Sequence, residues 1–111
     1  MAMLDEKHEK RRHVRHTVYE PCRVMVDGGE YAGAVVNMSV GGAAIQLDVQ
    51  LDAQPEPGTA ATLIFERIGR IPVRVVRQLV DGIAVEFSIG KDRRDRRLVA
   101  AIMVVLNEFA R

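Results

Sequence analysis

Between Val18 and Phe87 the chain falls into six short β-rich stretches separated by turn signals, and in the first and fifth apolar residues recur at alternate places. This pattern restricts the fold more than any other feature, because a period of two places apolar side chains on one face of a strand and polar ones on the other. The stretches are Val18–Val26, Glu30–Met38, Ala43–Asp48, Thr59–Arg67, Arg70–Leu79 and Gly82–Phe87. The fifth is the clearest, with Ile71, Val73 and Val75 alternating with Arg70, Pro72 and Arg74. Asp27-Gly28-Gly29 is a hairpin signal, and Ile68-Gly69 and Asp81-Gly82 mark two further turns. Ser39-Val40-Gly41-Gly42 forms a corner, and Val49 to Gly58, with Pro55 and Pro57, is the one long break. Six short strands at this spacing predict an antiparallel barrel, which also removes exposed sheet edges.

The end of the chain changes period. Leu98, Ile102, Val105, Leu106 and Phe109 fall at i, i+4, i+7, i+8 and i+11, the spacing of one helix face. A helix over about 91–110 is expected to cover an open end or side of the barrel. Val99, Met103 and Val104 make it more apolar than a single stripe requires. Such a helix is either buried on most sides or carries a weak dimer contact, so the expected state is a monomer or a weak homodimer. Lys91 to Arg97 holds five basic and two acidic residues. Positive charge at a helix start opposes the helix dipole, so these residues form a solvated face, open to a partner or ligand.

Residues 1–16 differ again, with five Lys/Arg, three Asp/Glu and all three histidines but few apolar anchors. They read as a flexible N-terminal arm on a single domain of residues 17–111. A chain of 111 residues is long enough to bury a modest core without disulfides or metal. A net charge of +1 creates no global field toward nucleic acid or membrane. The single Cys22 excludes an internal disulfide and suits a reducing cytoplasm. Met1 to Lys10 is charged rather than apolar, unlike a secretory signal. The apolar run from Leu98 to Leu106 is far short of the roughly 20 residues that span a bilayer. A cytoplasmic domain with no membrane insertion is expected.

Two segments carry recognisable chemistry. Arg11 and Arg15 form an RxxxR pattern in the arm, and Asn37, Ser39 and Gly42 form NxSxxG where the second strand turns into the third. Guanidinium groups are planar donor forks that match phosphate oxygens and the O6/N7 edge of guanine. An Asn side chain both donates and accepts, as a guanine edge requires. Gly41 and Gly42 permit positive φ and close backbone approach. Together the segments suit a small, anionic, guanine-bearing ligand. RxxxR by itself is weak, since Arg70/Arg74 and Arg93/Arg97 repeat it within a strand and a helix start. Asn, Ser and Gly are also ordinary turn formers. The ordered conjunction of the two motifs is what is specific.

That conjunction, followed by a small barrel and a closing helix, resembles the PilZ domain family over nearly the whole chain from about Lys10. Both motifs fit without substitution, Asn being an accepted alternative to Asp at the first position. The resemblance implies a six-stranded PilZ-type β-barrel and a bacterial receptor for the second messenger cyclic di-GMP. It implies that Arg11 and Arg15 grip phosphate and guanine edges, while Asn37, Ser39 and Gly42 hold a guanine against the barrel. Lys10, Arg12 and Gly41 are secondary candidates. The ligand would order the arm across the barrel and change the surface offered to an unidentified protein partner.

Other classes fit less well. A PilZ-like adaptor that binds only protein would not need the intact motifs. A nucleic-acid-binding barrel could use the arm and Arg93 to Arg97, but the five aromatics (Tyr19, Tyr31, Phe65, Phe87, Phe109) show no stacking platform. His8, His13, His16 and Cys22 match no usual zinc spacing, so no metal is expected. No nucleophile–base pair or paired carboxylates stand out, so neither catalytic residues nor a cofactor are expected.

Overall fold

The computed structural model describes residues 16–51, 53–90 and 93–109. Six strands, β1 (His16–Val26), β2 (Gly29–Met38), β3 (Gly42–Leu47), β4 (Ala60–Phe65), β5 (Gly69–Leu79) and β6 (Gly82–Phe87), are followed by the helix α1 (Arg93–Phe109). All neighbouring strands are antiparallel, in the order β1-β2-β3-β6-β5-β4. Pairing of β1 with β4, from Cys22↔Phe65 to Val26↔Ala61, closes the barrel. The expected six-stranded antiparallel barrel with a C-terminal helix is therefore the fold.

Alternation produces the core. Val24, Val35, Ile45, Leu63, Ile71 and Ile83 are completely buried, one from each strand. Their outward neighbours Arg23, Gln46 and Arg70 are exposed. The β1–β2 turn has Asp27 at φ 51° and Gly28 at φ 81°. Two consecutive positive φ values between the paired Val26 and Gly29 describe the hairpin turn whose twist matches its strands. The long loop before β4 is pinned back on the barrel. Gln78 Nε2 donates to the Pro55 carbonyl at 3.1 Å, and Arg74 Nη1 donates to the Gly58 carbonyl at 2.7 Å.

Three irregularities break strict alternation. The register shifts between Thr17 and Glu20 in β1, between Val35 and Asn37 in β2, and between Val75 and Arg77 in β5. An extra residue in one strand bends it and moves the following side chains to the other face. In β2 the extra residue is Val36. Both Val35 and Met38 are thus wholly buried, and Asn37 stays on the outer face.

Helix α1 closes the end of the barrel where β2 becomes β3 and β4 becomes β5. Ile102, Val105 and Leu106 join the core, with Leu98 and Phe109 partly buried against it. This is the stripe expected from spacing. Met103 and Val104 are more than half exposed, so the helix is not buried on most sides. Arg67, in the β4–β5 turn, hydrogen-bonds Glu108 near the helix end and lies 4.0 Å from Glu20 of β1. Glu108 pushes the Arg67 guanidinium pKa further up through that bond. At the other helix end the Asp95 carboxylate accepts from the Gly90 N–H at 2.6 Å, placing an acid in the basic first turn. Among the described residues no helix is long and apolar enough to cross a membrane.

Candidate functional site

The site expected from the sequence has two parts, and the structure describes one of them. Lys10, Arg11, Arg12 and Arg15 lie outside the described residues. Asn37, Ser39, Gly41 and Gly42 sit together at the rim of the barrel, in and just beyond the end of β2.

The corner is held by its own backbone. Ser39 N donates to the Gly42 carbonyl at 2.9 Å, and Phe87 N donates to the Gly41 carbonyl at 2.9 Å. Ser39 Oγ accepts from the Gly41 N–H at 3.1 Å. Ser39 is 2% exposed and is the one buried polar residue among those described. Its hydroxyl therefore shapes the corner from beneath. Gly42 is needed for close approach: a Cβ there would lie 2.2 Å from the Val85 carbonyl oxygen. Positive φ is not the reason for either glycine. Among the described residues it occurs at Asp27, Gly28, Gly58 and Gly69. A strand jammed against its neighbour excludes a side chain as firmly as a left-handed turn does.

Asn37 is half-buried on the outer face, opposite Thr17 of β1 and Ala44 of β3. The same lateral row continues from Ala44 to Ala84 of β6 and on to Arg77 of β5. With strands about 4.8 Å apart, Asn37 and Arg77 stand about 14 Å from each other along the sheet. Between them the floor is two alanines. The next outward row runs from Gly42 to Glu86 and then Arg74. The outer face of β2, β3, β6 and β5 is thus a shallow shelf of small residues. Asn37 stands at one side, Arg77 at the other, and Glu86 along its edge.

Sequence reasoning missed Arg77 and Glu86. Glu86 is the one polar side chain of β6, but nothing local to the strand says what it faces. Its place beside Gly42 depends on pairing between segments about 40 residues apart in sequence. For Arg77 a faint signal exists. The doubled Val75-Val76 interrupts an otherwise regular alternation and marks the bulge that brings Arg77 into the row with Ala84.

A separate cleft of about 540 Å³ lies beside α1, lined by Ile68, Arg93, Arg94, Arg97, Leu98 and Ala101. No residue of the Asn37–Gly42 corner lines it. Among the described residues, no three His, Cys, Asp or Glu side chains gather as metal ligands.

Solved structures share this architecture. The PilZ domain of CeSA from a cellulose-synthesizing bacterium superposes with a TM-score of 0.69 at 17% identity, covering 84% of this chain and 98% of that one. The PilZ domain of Escherichia coli YcgR, solved with cyclic di-GMP, gives 0.57 at 16% identity, covering 91% of this chain and 97% of that one. Klebsiella pneumoniae MrkH in complex with cyclic di-GMP gives 0.64 at 19% identity. There the match covers 88% of this chain and 53% of the other, so this chain spans about half the length of MrkH. No curated protein matches the sequence. The PilZ domain family model matches residues 9–104, a span that takes in all six strands and reaches into α1. With the barrel, the glycine-tight corner and both motifs inside that span, the chain belongs to the PilZ domain family.

Proposed function

We infer that this protein is a receptor for cyclic di-GMP that holds the dinucleotide on the outer face of the barrel. Arg11 and Arg15 grip it from the arm, and Asn37, Ser39 and Gly42 form the receiving corner. The observation that carries this reading is the prebuilt corner beside a row of small residues on the outer face. Ser39 and Gly41 fix the turn, and Gly42 lets β3 press against β6. Asn37 is left on the outer face above a floor of Ala44 and Ala84. A planar base stacks well on such a floor, and a rigid site spends little of its binding energy on ordering. Family membership supports the ligand, as do the E. coli and K. pneumoniae relatives solved with cyclic di-GMP.

No reaction on the ligand is required. Binding couples the arm to the barrel and changes the surface that a protein partner meets, which is a population shift driven by contacts unique to the docked arm. Lys10, Arg12 and Gly41 contribute around the main contacts. The reading places the domain in the bacterial cytoplasm, where the second messenger is found.

Calorimetric titration of cyclic di-GMP into the wild type and an Arg11→Ala/Arg15→Ala variant tests the proposal. Binding by the wild type that the variant loses is expected. Equal binding by both would remove the arm from the site. Absence of heat and of thermal stabilisation in both would overturn the receptor reading.

A further inference from the structure

The first turns of α1 are charged against their own stability. Arg93, Arg94, Arg96 and Arg97 share this stretch with the single carboxylate of Asp95, which holds the Gly90 N–H. Positive charge at a helix start opposes the dipole, and Arg93 and Arg97, at i and i+4, repel each other. Among the described residues none of these four guanidiniums forms a hydrogen bond or ion pair, whereas Arg23, Arg67 and Arg74 are each committed to an acceptor. Local conflicts of this kind gather where a surface serves binding rather than folding.

Three of the four arginines line the cleft of about 540 Å³ beside the helix. The helical repeat explains the rest of its lining. Arg93, Arg97 and Ala101 form one i, i+4 row, and Arg94 and Leu98 form the row beside it. The cleft therefore follows one helix face for about 12 Å, eight rises of the helix. Its arginines lie toward the helix start and its apolar floor farther along, with Ile68 of the β4–β5 turn supplying the other wall.

We propose that this cleft docks a short acidic segment of a partner protein, one aliphatic side chain flanked by Asp or Glu. Guanidinium forks pair with carboxylates in bidentate fashion, and Ile68, Leu98 and Ala101 give an aliphatic group a surface to cover. An extended chain rises about 3.3 Å per residue, so roughly four residues fill the length. A nucleic acid fits less well. After Arg97 the helix has no basic residue up to Phe109 and carries Glu108, and Arg67, next to Ile68, is taken up by Glu108 and Glu20. The basic stretch is thus too short to follow a phosphate backbone, and no aromatic ring lines the cleft for a base to stack on. The cleft shares no residue with the Asn37–Gly42 corner, so the proposal stands independently of the receptor reading.

The test measures fluorescence anisotropy of a labelled peptide, Glu-Asp-Ser-Leu-Ser-Asp-Glu, whose acids flank the leucine in either chain direction. Wild type is expected to bind it, and to bind a version with alanine for leucine about 10-fold more weakly, the effect of half-burying one leucine. A version with lysine for every acid should not bind. Arg94→Glu and Arg97→Glu should each weaken the acidic peptide about 5-fold or more, since attraction becomes repulsion. Thermal unfolding of Arg94→Glu should hold or rise, because an acid suits a helix start. Arg70→Glu, an equal change of net charge on β5, should leave binding within about 2-fold, as screened charges outside the site do. Wild type that does not bind the acidic peptide, or that binds the lysine version equally, overturns the proposal. So does an alanine version that binds as tightly as the original, or an Arg70→Glu protein weakened as much as Arg97→Glu. A single-stranded oligonucleotide that displaces the peptide at lower concentration than unlabelled peptide does would give the cleft to nucleic acid and overturn it as well.

Discussion

Gly42 of β3 lies so close to Val85 of β6 that a Cβ on the glycine would stand 2.2 Å from the valine carbonyl oxygen. That contact is to backbone, which cannot rotate away as a side chain tip would. Gly42→Ala must push β3 off β6 and strain the bond from Phe87 N to the Gly41 carbonyl. Overpacking of this kind costs about 1–3 kcal/mol. Urea unfolding of Gly42→Ala is expected to show a lowered midpoint with an unchanged slope. A midpoint equal to that of the wild type would show that the two strands part without cost.

Ser39 makes the neighbouring prediction. Its buried Oγ accepts from the Gly41 N–H, so Ser39→Ala leaves that donor without its partner at a tightly packed corner. The loss should be about 1 kcal/mol of stability. It should also weaken cyclic di-GMP, because the corner then samples more than one geometry before the ligand arrives. Calorimetry on Ser39→Ala at a temperature well below its unfolding transition separates the two effects. Unchanged affinity in a folded variant would mean that the corner's rigidity plays no part in binding.

Cys22 gives a pH prediction. Burial, with the Asp48 carboxylate adding to it, pushes the thiol up to about 11. An unfolded thiol ionises near about 8.5. Between those values the folded chain retains a proton that the unfolded chain has released, so rising pH favours unfolding. The thiol's contribution is fully present below about 8.5, declines above it, and levels off beyond about 11. Unfolding curves of wild type and Cys22→Ala, taken from about pH 7 to 10.5, should diverge as the wild type loses stability faster. Parallel curves would show that the thiol does not titrate differently in the two states. For the same reason, alkylation of Cys22 at neutral pH should require opening of the barrel.

The barrel was legible in the sequence because half-buried strands must alternate and because turns need particular residues. Ile71, Val73 and Val75 announce a buried face, and Asp27-Gly28 announces a tight hairpin. The bulges were not legible in this way. Val36 and Val76 each follow another valine, a faint break in alternation at most, and it is the pairing that identifies each as the extra residue that re-aims its neighbour. The corner was legible as a motif, although the need for Gly42 lies in β6, 43 positions along the chain at Val85, and not in its own φ. Glu86 and Arg77 were hidden for a related reason. Their place on the shelf is a property of cross-strand register, which local periodicity does not encode.

The closing helix supplies a contrast between two apolar residues two positions apart. Ile102 is wholly buried in the core, whereas Val104 is 60% exposed. Ile102→Ala should cost about 2–5 kcal/mol, since a cavity at the plugged end of the barrel cannot fill. Val104→Ser should stay within about 0.5 kcal/mol, as an exposed substitution away from caps and networks does. The ion pair between Arg67 and Glu108 also ties α1 to the β4–β5 turn, but both side chains are well exposed. A double-mutant cycle on that pair is expected to give a coupling under about 1 kcal/mol. Packing, then, holds the helix on the barrel. If Arg67→Met unfolded the domain more readily than Ile102→Ala, the order of those two effects would be reversed, and the helix would be held by charge.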